Sequence, residues 1–260
     1  MYDTHVHTTF SPDSVMKTSE ILLRSKAEGF GLTITDHFEF TTEPGIYTFD
    51  PEKYFGQLTP LRSDKLLIGV EMGLNLFCQE EINSFVKDHP FDYLLGSIHS
   101  VEEVEVYEDK YFEGLTMKEA YSKYLDYVLN CLKAFPFINS LAHFDFITRY
   151  APYTEKTLRY GEFTDVLDEI FTLLAQREAA LEINLKCYQS KFFNNYTRVF
   201  KRFKELGGKY VTVGTDAHQI TELGRNLKTG YELANYCSLK TVYFRDQSPE
   251  YISSRNSCAS

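Results

Sequence analysis

His5 and His7 stand two apart in Tyr2-Asp3-Thr4-His5-Val6-His7, and that spacing can build half of a metal site. The stretch alternates polar and apolar residues, the period of a β-strand. Residues two apart on a strand project from one face, so both imidazoles point together and Val6 points the other way. Two imidazoles at a strand end suit a divalent transition metal. Taken alone, the pair reads more readily as surface histidines near a terminus. The rest of the chain weighs against that, because one stretch after another ends in a residue of the same kind.

Asp13, His37, Glu71, His99, His143, Asp216 and His218 continue the series. Asp13 falls in the turn-rich loop after the first strand. Each of the others sits at, or one to three residues beyond, the carboxyl end of an expected strand. Of the 7 histidines, only His89 lies elsewhere. Nitrogen and carboxylate ligands without a thiolate suit Zn²⁺, Mn²⁺ or iron. The set is too large for one tetrahedral ion, so two or three divalent ions sharing a carboxylate are expected. Glu71, on a central strand, is the natural bridge. Ions about 3.5–4 Å apart hold a hydroxide between them and clamp the oxygens of a phosphoryl group. The expected chemistry is therefore metal-assisted hydrolysis of a phosphate ester.

The elements that must position these residues alternate regularly. Strands are expected at the amino terminus, Leu32–His37, Lys65–Glu71, Asp92–His99, Asn139–His143, Ala180–Asn184 and Tyr210–Asp216. Helices are expected from Thr18 or Ser19 to about Glu28, closed by Gly29, and from Asp50 to Arg62, with Pro51 at the first position. Glu80–Lys87 reads as a short helix. Thr116 caps a long one to about Ala134, with Glu119 completing a capping box. Phe163–Arg177, Asn195–Leu206 and Leu223–Tyr236 complete the helical set. The loop from Phe38 to Phe49 carries a turn at Pro44-Gly45, and the loop Ser100–Leu115 is acidic and aromatic. Lys240–Phe244 reads as a last strand, with fraying from about residue 246.

Seven rounds of strand then helix imply a parallel sheet with helical crossovers. An open doubly wound sheet gathers ligands only at a switch point. A barrel brings the carboxyl ends of all its strands to one rim, and six strands sending ligands to one rim favour the barrel. One domain over residues 1–260 is expected, since a barrel needs about 250 residues.

The net charge of −10, from 27 Lys and Arg against 37 Asp and Glu, argues against general affinity for nucleic acid or an anionic membrane. It leaves room for a small phosphorylated substrate. No apolar run approaches the roughly 18 residues of a membrane span, and the amino terminus lacks the pattern of a signal peptide. The 5 cysteines (Cys78, Cys131, Cys187, Cys237 and Cys258) are odd in number and widely spaced. They are expected to be mostly free thiols in a reducing cytosol, hence a cytoplasmic protein. The 19 Tyr and 21 Phe, with no Trp, suggest a Tyr- and Phe-rich core and pocket. Oligomeric state is not legible.

His5-Val-His7, Thr35-Asp36-His37, Gly69-Val-Glu71, Ser97-Ile-His99, Ala142-His143 and Gly214-Thr-Asp216-Ala-His218 resemble, in order, the motifs of the polymerase and histidinol phosphatase (PHP) superfamily. The resemblance covers residues 3 to about 218. It implies a distorted (β/α)7 TIM-like barrel with a trinuclear metal centre. One ion would take His5, His7, Glu71 and Asp216; a second Glu71, His99 and His143; a third Asp13, His37 and His218. Asp13, the stretch from His143 through Arg149 to Tyr153, and Glu182-Ile-Asn184 look more like the histidinol phosphatase branch. Within that branch Arg149 would hold the phosphate. Lys186 would be a second contact, although the branch favours Arg there and Lys lacks its planar fork.

The implied reaction is hydrolysis of L-histidinol phosphate, a step of histidine biosynthesis, by attack of a metal-bridging hydroxide on phosphorus. Asp216 or a metal-bound water would protonate the leaving alkoxide. The acidic and aromatic loops (Glu39, Tyr47, Glu103, Glu105, Tyr107 and Glu113) would face a cationic leaving group. Two alternatives stand beside it. One is a phosphoesterase of the same superfamily acting on another small phosphomonoester or a nucleotide. The other is a binding protein that keeps the metals as a staple.

Overall fold

A computed structural model of the chain describes residues 1–41, 47–186 and 193–251. The expected turn at Pro44-Gly45, Cys187, Cys258 and the Ser-rich end lie outside the described residues. The first strand, β1 (Tyr2–Val6), is buried along its whole length. It leads through a loop to α1 (Thr18–Glu28), which Gly29 closes at φ 74°, a left-handed conformation that glycine adopts without a Cβ clash. Next come β2 (Gly31–Ile34) and β3 (His37–Glu39), then α2 (Pro51–Leu58). Asp50 caps α2 by accepting from the Lys53 backbone N–H, as its Asp-Pro start leads one to expect. A 3₁₀ turn at Thr59–Leu61 ends it short of Arg62.

The longest fully buried strand is β4 (Leu66–Gly73), apolar except for Glu71. It is followed by α3 (Gln79–Asp88) and β5 (Tyr93–Ser97). The acidic loop beyond holds a small antiparallel hairpin, β6 (Ser100–Val101) with β7 (Val104–Glu105), and one turn of helix, α4 (Asp109–Phe112). After these come α5 (Met117–Ala134), β8 (Ser140–Leu141), α6 (Thr164–Gln176), β9 (Ala180–Asn184), α7 (Phe193–Glu205), β10 (Tyr210–Gly214), α8 (Leu227–Tyr236), β11 (Lys240–Arg245) and β12 (Ser248–Tyr251). The Thr116–Glu119 capping box of α5 forms as expected.

One sheet runs in the order β1-β2-β4-β5-β8-β9-β10-β11-β12, with β3 also on β4. Every pairing in it is parallel except β11 with β12. The molecule is thus an α/β fold built on a mostly parallel sheet. The first strand also meets the end of the seventh repeat. The Asp216 N–H donates to the His5 carbonyl at 2.8 Å and the His7 N–H to the Ala217 carbonyl at 3.0 Å. Among the described residues no helix is long and apolar enough to cross a membrane.

Several expectations change. The stretch Leu32–His37 is two strands, because Asp36 turns inward between them and accepts from the Thr8 and Ser11 backbone N–H groups and both of their hydroxyls. The loop Ser100–Leu115 contains the hairpin and the helical turn. Glu71 lies inside β4, which runs two residues further. The chain does not fray at 246 but turns back, pairing Arg245 with Ser248 and Val242 with Tyr251.

Candidate metal centre

Glu71 is fully buried, and both of its oxygens face histidine rings. Oε2 lies 3.2 Å from His5 Nε2, 3.4 Å from His7 Nε2 and 2.9 Å from His37 Nδ1. Oε1 lies 2.8 Å from His143 Nε2 and 3.2 Å from His99 Nε2. Five imidazoles from four segments thus converge on one carboxylate. The parallel register explains part of this, since His37 on β3 sits directly opposite Glu71 on β4.

The rings are aimed by contacts behind them. His5 Nδ1 lies 2.7 Å from Glu182 Oε1, and His7 Nδ1 lies 3.0 Å from Ser11 Oγ. His99 Nδ1 is bonded to Glu39. With Nδ1 engaged at the back, Nε2 is left facing inward, the arrangement that fixes ring orientation in metal-binding histidines. His5 and His7 then bring their Nε2 atoms within 3.1 Å of each other. Gly214 permits this approach: a Cβ there would fall 2.3 Å from the His5 Cβ and 2.5 Å from Glu182 Oε1.

Asp216 closes the other side. Its Oδ1 is 3.5 Å from His7 Nε2, 3.8 Å from His5 Nε2 and 3.5 Å from His218 Nδ1. Its backbone stands at φ 54°, a left-handed conformation disfavoured for a residue with a Cβ. The backbone bond to His5 and one from Lys186 Nζ to the Asp216 carbonyl, 2.9 Å, hold it there. Asp13, on the loop pinned by Asp36, sets Oδ2 3.5 Å from His37 Nε2 and 3.2 Å from His218 Nε2. The nine ligand candidates His5, His7, Asp13, His37, Glu71, His99, His143, Asp216 and His218 therefore form one contiguous cluster.

Electrostatics matches this crowding. Burial alone would raise the Glu71 and Asp216 carboxyls. His5, His37 and His99 outweigh it at Glu71, and Arg149 and His5 at Asp216, so both lie well below the usual carboxylate range. Burial acts to lower His37, but Glu71 and Asp13 lift it to about 10. Burial, with His37 and His218 alongside, drives His7 well below the ordinary histidine value.

The donor set fits metal ions better than protons. Glu71 Oε2 and His37 Nδ1 form a close ion pair at 2.9 Å that is not aligned as a hydrogen bond, and with His143 Nδ1 they are buried without a hydrogen-bond partner. Orphaned buried polar atoms are costly, and a coordinated cation would engage the carboxylate oxygen. Four overlapping triads bring their donor atoms within 4.8 Å of one another: His7-His37-His218, His5-His7-Asp216, His5-Glu71-His143 and His37-Glu39-His99. The last includes Glu39, expected only as a pocket wall. The free cysteines Cys78, Cys131 and Cys237 are buried and belong to none of the triads.

The cluster floors a cavity of about 540 Å³, also lined by Glu39, Tyr47, Glu105, Tyr107, Arg149 and Lys186. Arg149 Nη1 is 2.9 Å from Asp216 Oδ2, and Nη2 donates to Asn184 Oδ1 at 3.1 Å. Lys186 Nζ lies 3.1 Å from Glu222 Oε2 and 3.1 Å from His218 Nδ1. Both cations expected at a phosphate thus stand at the cluster edge. Glu103 and Glu113, grouped with the pocket-facing residues from sequence, are exposed and do not line the cavity.

Glu182 and Asn184 carry more of the site than their motif alone revealed. Glu182 Oε2 accepts from the His143 backbone N–H at 2.8 Å and from Asn184 Nδ2 at 3.1 Å. Their spacing of two on a buried strand repeats that of His5 and His7, and this was the available signal.

Known proteins resemble the chain in sequence and in fold. Residues 3–186 match the family model described as PHP domain. A probable histidinol-phosphatase of Clostridium acetobutylicum is 36% identical over 253 residues, covering 96% of this chain and 99% of that protein. A histidinol-phosphatase of Lactococcus lactis is 34% identical, covering 83% of each. A crystal structure of histidinol phosphate phosphatase from L. lactis, complexed with zinc, L-histidinol and phosphate, superposes with a TM-score of 0.90 at 31% identity. It covers 96% of this chain and 98% of that one.

Proposed function

Because the chain belongs to the PHP domain family, we propose that it is a metal-dependent phosphomonoesterase that hydrolyses L-histidinol phosphate to L-histidinol and phosphate. The full-length relatives named for that activity support the reading. So does the likeness to a structure whose ligands are zinc and the two products. The observation that carries it is Glu71, one buried carboxylate with five imidazoles on its two oxygens. We read the sheet as a distorted barrel, supported by the backbone bonds between His5 and Asp216 and between His7 and Ala217.

His5, His7, Glu71 and Asp216 would hold one ion, Glu71, His99 and His143 a second, and Asp13, His37 and His218 a third. Zinc, manganese or iron all suit nitrogen and carboxylate donors. When bound, such ions supply an activated water and neutralise charge on phosphoryl oxygens. Arg149 and Lys186 would take the remaining phosphate oxygens, Arg149 with its planar fork and Lys186 as a point charge. Asp216, held by Arg149 on one oxygen, keeps the other towards the histidines. A cavity of about 540 Å³ is the size of a small-molecule site.

Phosphate release decides the matter. Protein of known metal content should turn over L-histidinol phosphate in preference to nucleotides and sugar phosphates. A preference for one of those instead would replace the substrate while leaving the chemistry in place.

A further inference from the structure

Lys186 lines the cavity above the metal cluster, and its ammonium is bonded from behind. Nζ donates to the Asp216 carbonyl at 2.9 Å and to Glu222 Oε2 at 3.1 Å. His218 Nδ1 lies 3.1 Å from the same nitrogen and 2.9 Å from the Asp216 carbonyl. With His218 Nε2 turned to Asp13 as the ligand atom, Nδ1 carries the ring proton and gives it to that carbonyl, so it offers Lys186 no lone pair. Two of the three ammonium protons are thus engaged, and the third is left for the cavity. Glu222 is only partly exposed and does not line the cavity. The oxygen that takes Lys186 also accepts from the His218 backbone N–H at 3.0 Å. The turn is closed by the Glu222 N–H, which donates to the Gln219 carbonyl at 2.9 Å.

We propose that Glu222 is a positioning residue, whose carboxylate fixes the Lys186 ammonium at the place where a phosphate oxygen binds. This rests on the phosphomonoesterase reading above, in which Lys186 is a phosphate contact. A lysine chain is long and flexible, and its ammonium lacks the planar fork by which two partners orient Arg149. One backbone carbonyl leaves such a group free to swing. A second acceptor that is charged closes the geometry with a stronger bond. The ordering is then complete before substrate arrives, which removes part of the cost of binding. The same carboxylate ties the cation to the backbone of His218, a ligand candidate, so the phosphate contact and a metal-facing ring keep a fixed separation. Its negative charge opposes an anionic substrate, but Glu222 is kept off the cavity wall and Lys186 neutralises it. Glu222 therefore acts through Lys186 and takes no part in bond cleavage.

The experiment is a double-mutant cycle on zinc-loaded protein of measured metal content: wild type, Glu222→Gln, Lys186→Ala and the two changes together. The readouts are KM and kcat for L-histidinol phosphate and the inhibition constant of inorganic phosphate. Gln keeps an oxygen for the His218 N–H and loses only the charge. Glu222→Gln should raise KM and the inhibition constant roughly 3- to 10-fold, with kcat and metal content changed by less than about twofold. In the Lys186→Ala background the same substitution should move neither constant, because the cation it holds is gone. Equal losses in both backgrounds, or a loss of metal in Glu222→Gln, would make Glu222 a prop for the His218 turn and overturn the proposal. An unchanged or lowered KM in Glu222→Gln would overturn it too. A wild-type protein that prefers another phosphomonoester would replace the substrate proposed above, and the cycle would still be decided on the ester it cleaves.

Discussion

Glu182 Oε1 lies 2.7 Å from His5 Nδ1, with both side chains fully buried. The same carboxylate accepts from the His143 backbone N–H. One side chain on β9 therefore aims a ring from β1 and fixes the backbone of a ligand candidate after β8. Asn184 extends the link to Arg149 and Asp216. Candidate metal ligands and a candidate phosphate contact are tied into a single bonded unit.

That bond predicts a metal phenotype for a residue that touches no metal. Glu182→Gln keeps the shape but cannot supply a charged acceptor to His5 Nδ1. Metal affinity should fall roughly 10- to 100-fold, as is usual when a supporting partner is lost. Competition against a chromophoric chelator, with metal content measured directly, checks this. Unchanged affinity would show that Glu182 only fills space.

Removing metal should abolish turnover, and zinc should restore it. The cluster holds its carboxylates well below their ordinary pKa by setting them against imidazoles and, at Asp216, against Arg149 as well. Among the described residues, no Ser or Cys lines the cavity. Dialysis against a chelator, then phosphate-release assays before and after zinc is returned, tests the dependence. Full activity in metal-free protein would end the proposed chemistry.

Local rules made much of this legible. His5 and His7 share a face because a strand has period two, Gly29 ends α1 because it alone has no Cβ, and Ala180–Asn184 is a strand as its pattern says. The failures are long-range. The Leu32–His37 strand breaks because Asp36 finds donors on the loop after β1, some 25 residues away. The hairpin carrying Glu105 has strands of 2 residues, too short to show a period. Glu182 was visible only as part of a motif, because its partners come from β1 and the segment after β8.

Asp92 offers a stability test away from the metal cluster. Arg62 Nε and Nη2 donate to it, as do the backbone N–H groups of Ile68 and Asp246. Burial alone would raise its pKa, but Arg62 and the two N–H groups bring it below the ordinary 3.8. A carboxylate depressed on folding contributes stability above its unfolded pKa and loses it as pH falls through the folded one. Asp92→Ala should therefore cost roughly 2–4 kcal/mol at neutral pH. The gap to wild type should narrow only below about pH 3.8. Denaturant melts of both proteins at several pH values read it out, and a gap constant with pH would contradict the assignment.

Arg149 joins the phosphate proposal to the architecture. Its guanidinium stacks over Phe146 at 4.9 Å while its two terminal nitrogens reach Asp216 and Asn184. That fork fixes the plane of the cation before substrate arrives, so little ordering remains to be done on binding. Arg149→Ala should raise KM for the phosphate ester roughly 10- to 100-fold, since a charge-assisted contact to an anion is lost. Arg149→Lys should recover only part of it, because one ammonium cannot bond Asp216, Asn184 and a phosphate oxygen in a plane. Metal content should stay at the wild-type level in both, since Arg149 is not among the ligand candidates. Steady-state kinetics beside metal analysis separates the outcomes. A normal KM in Arg149→Ala would remove its phosphate role, and a loss of metal with it would make Arg149 a support for Asp216 instead.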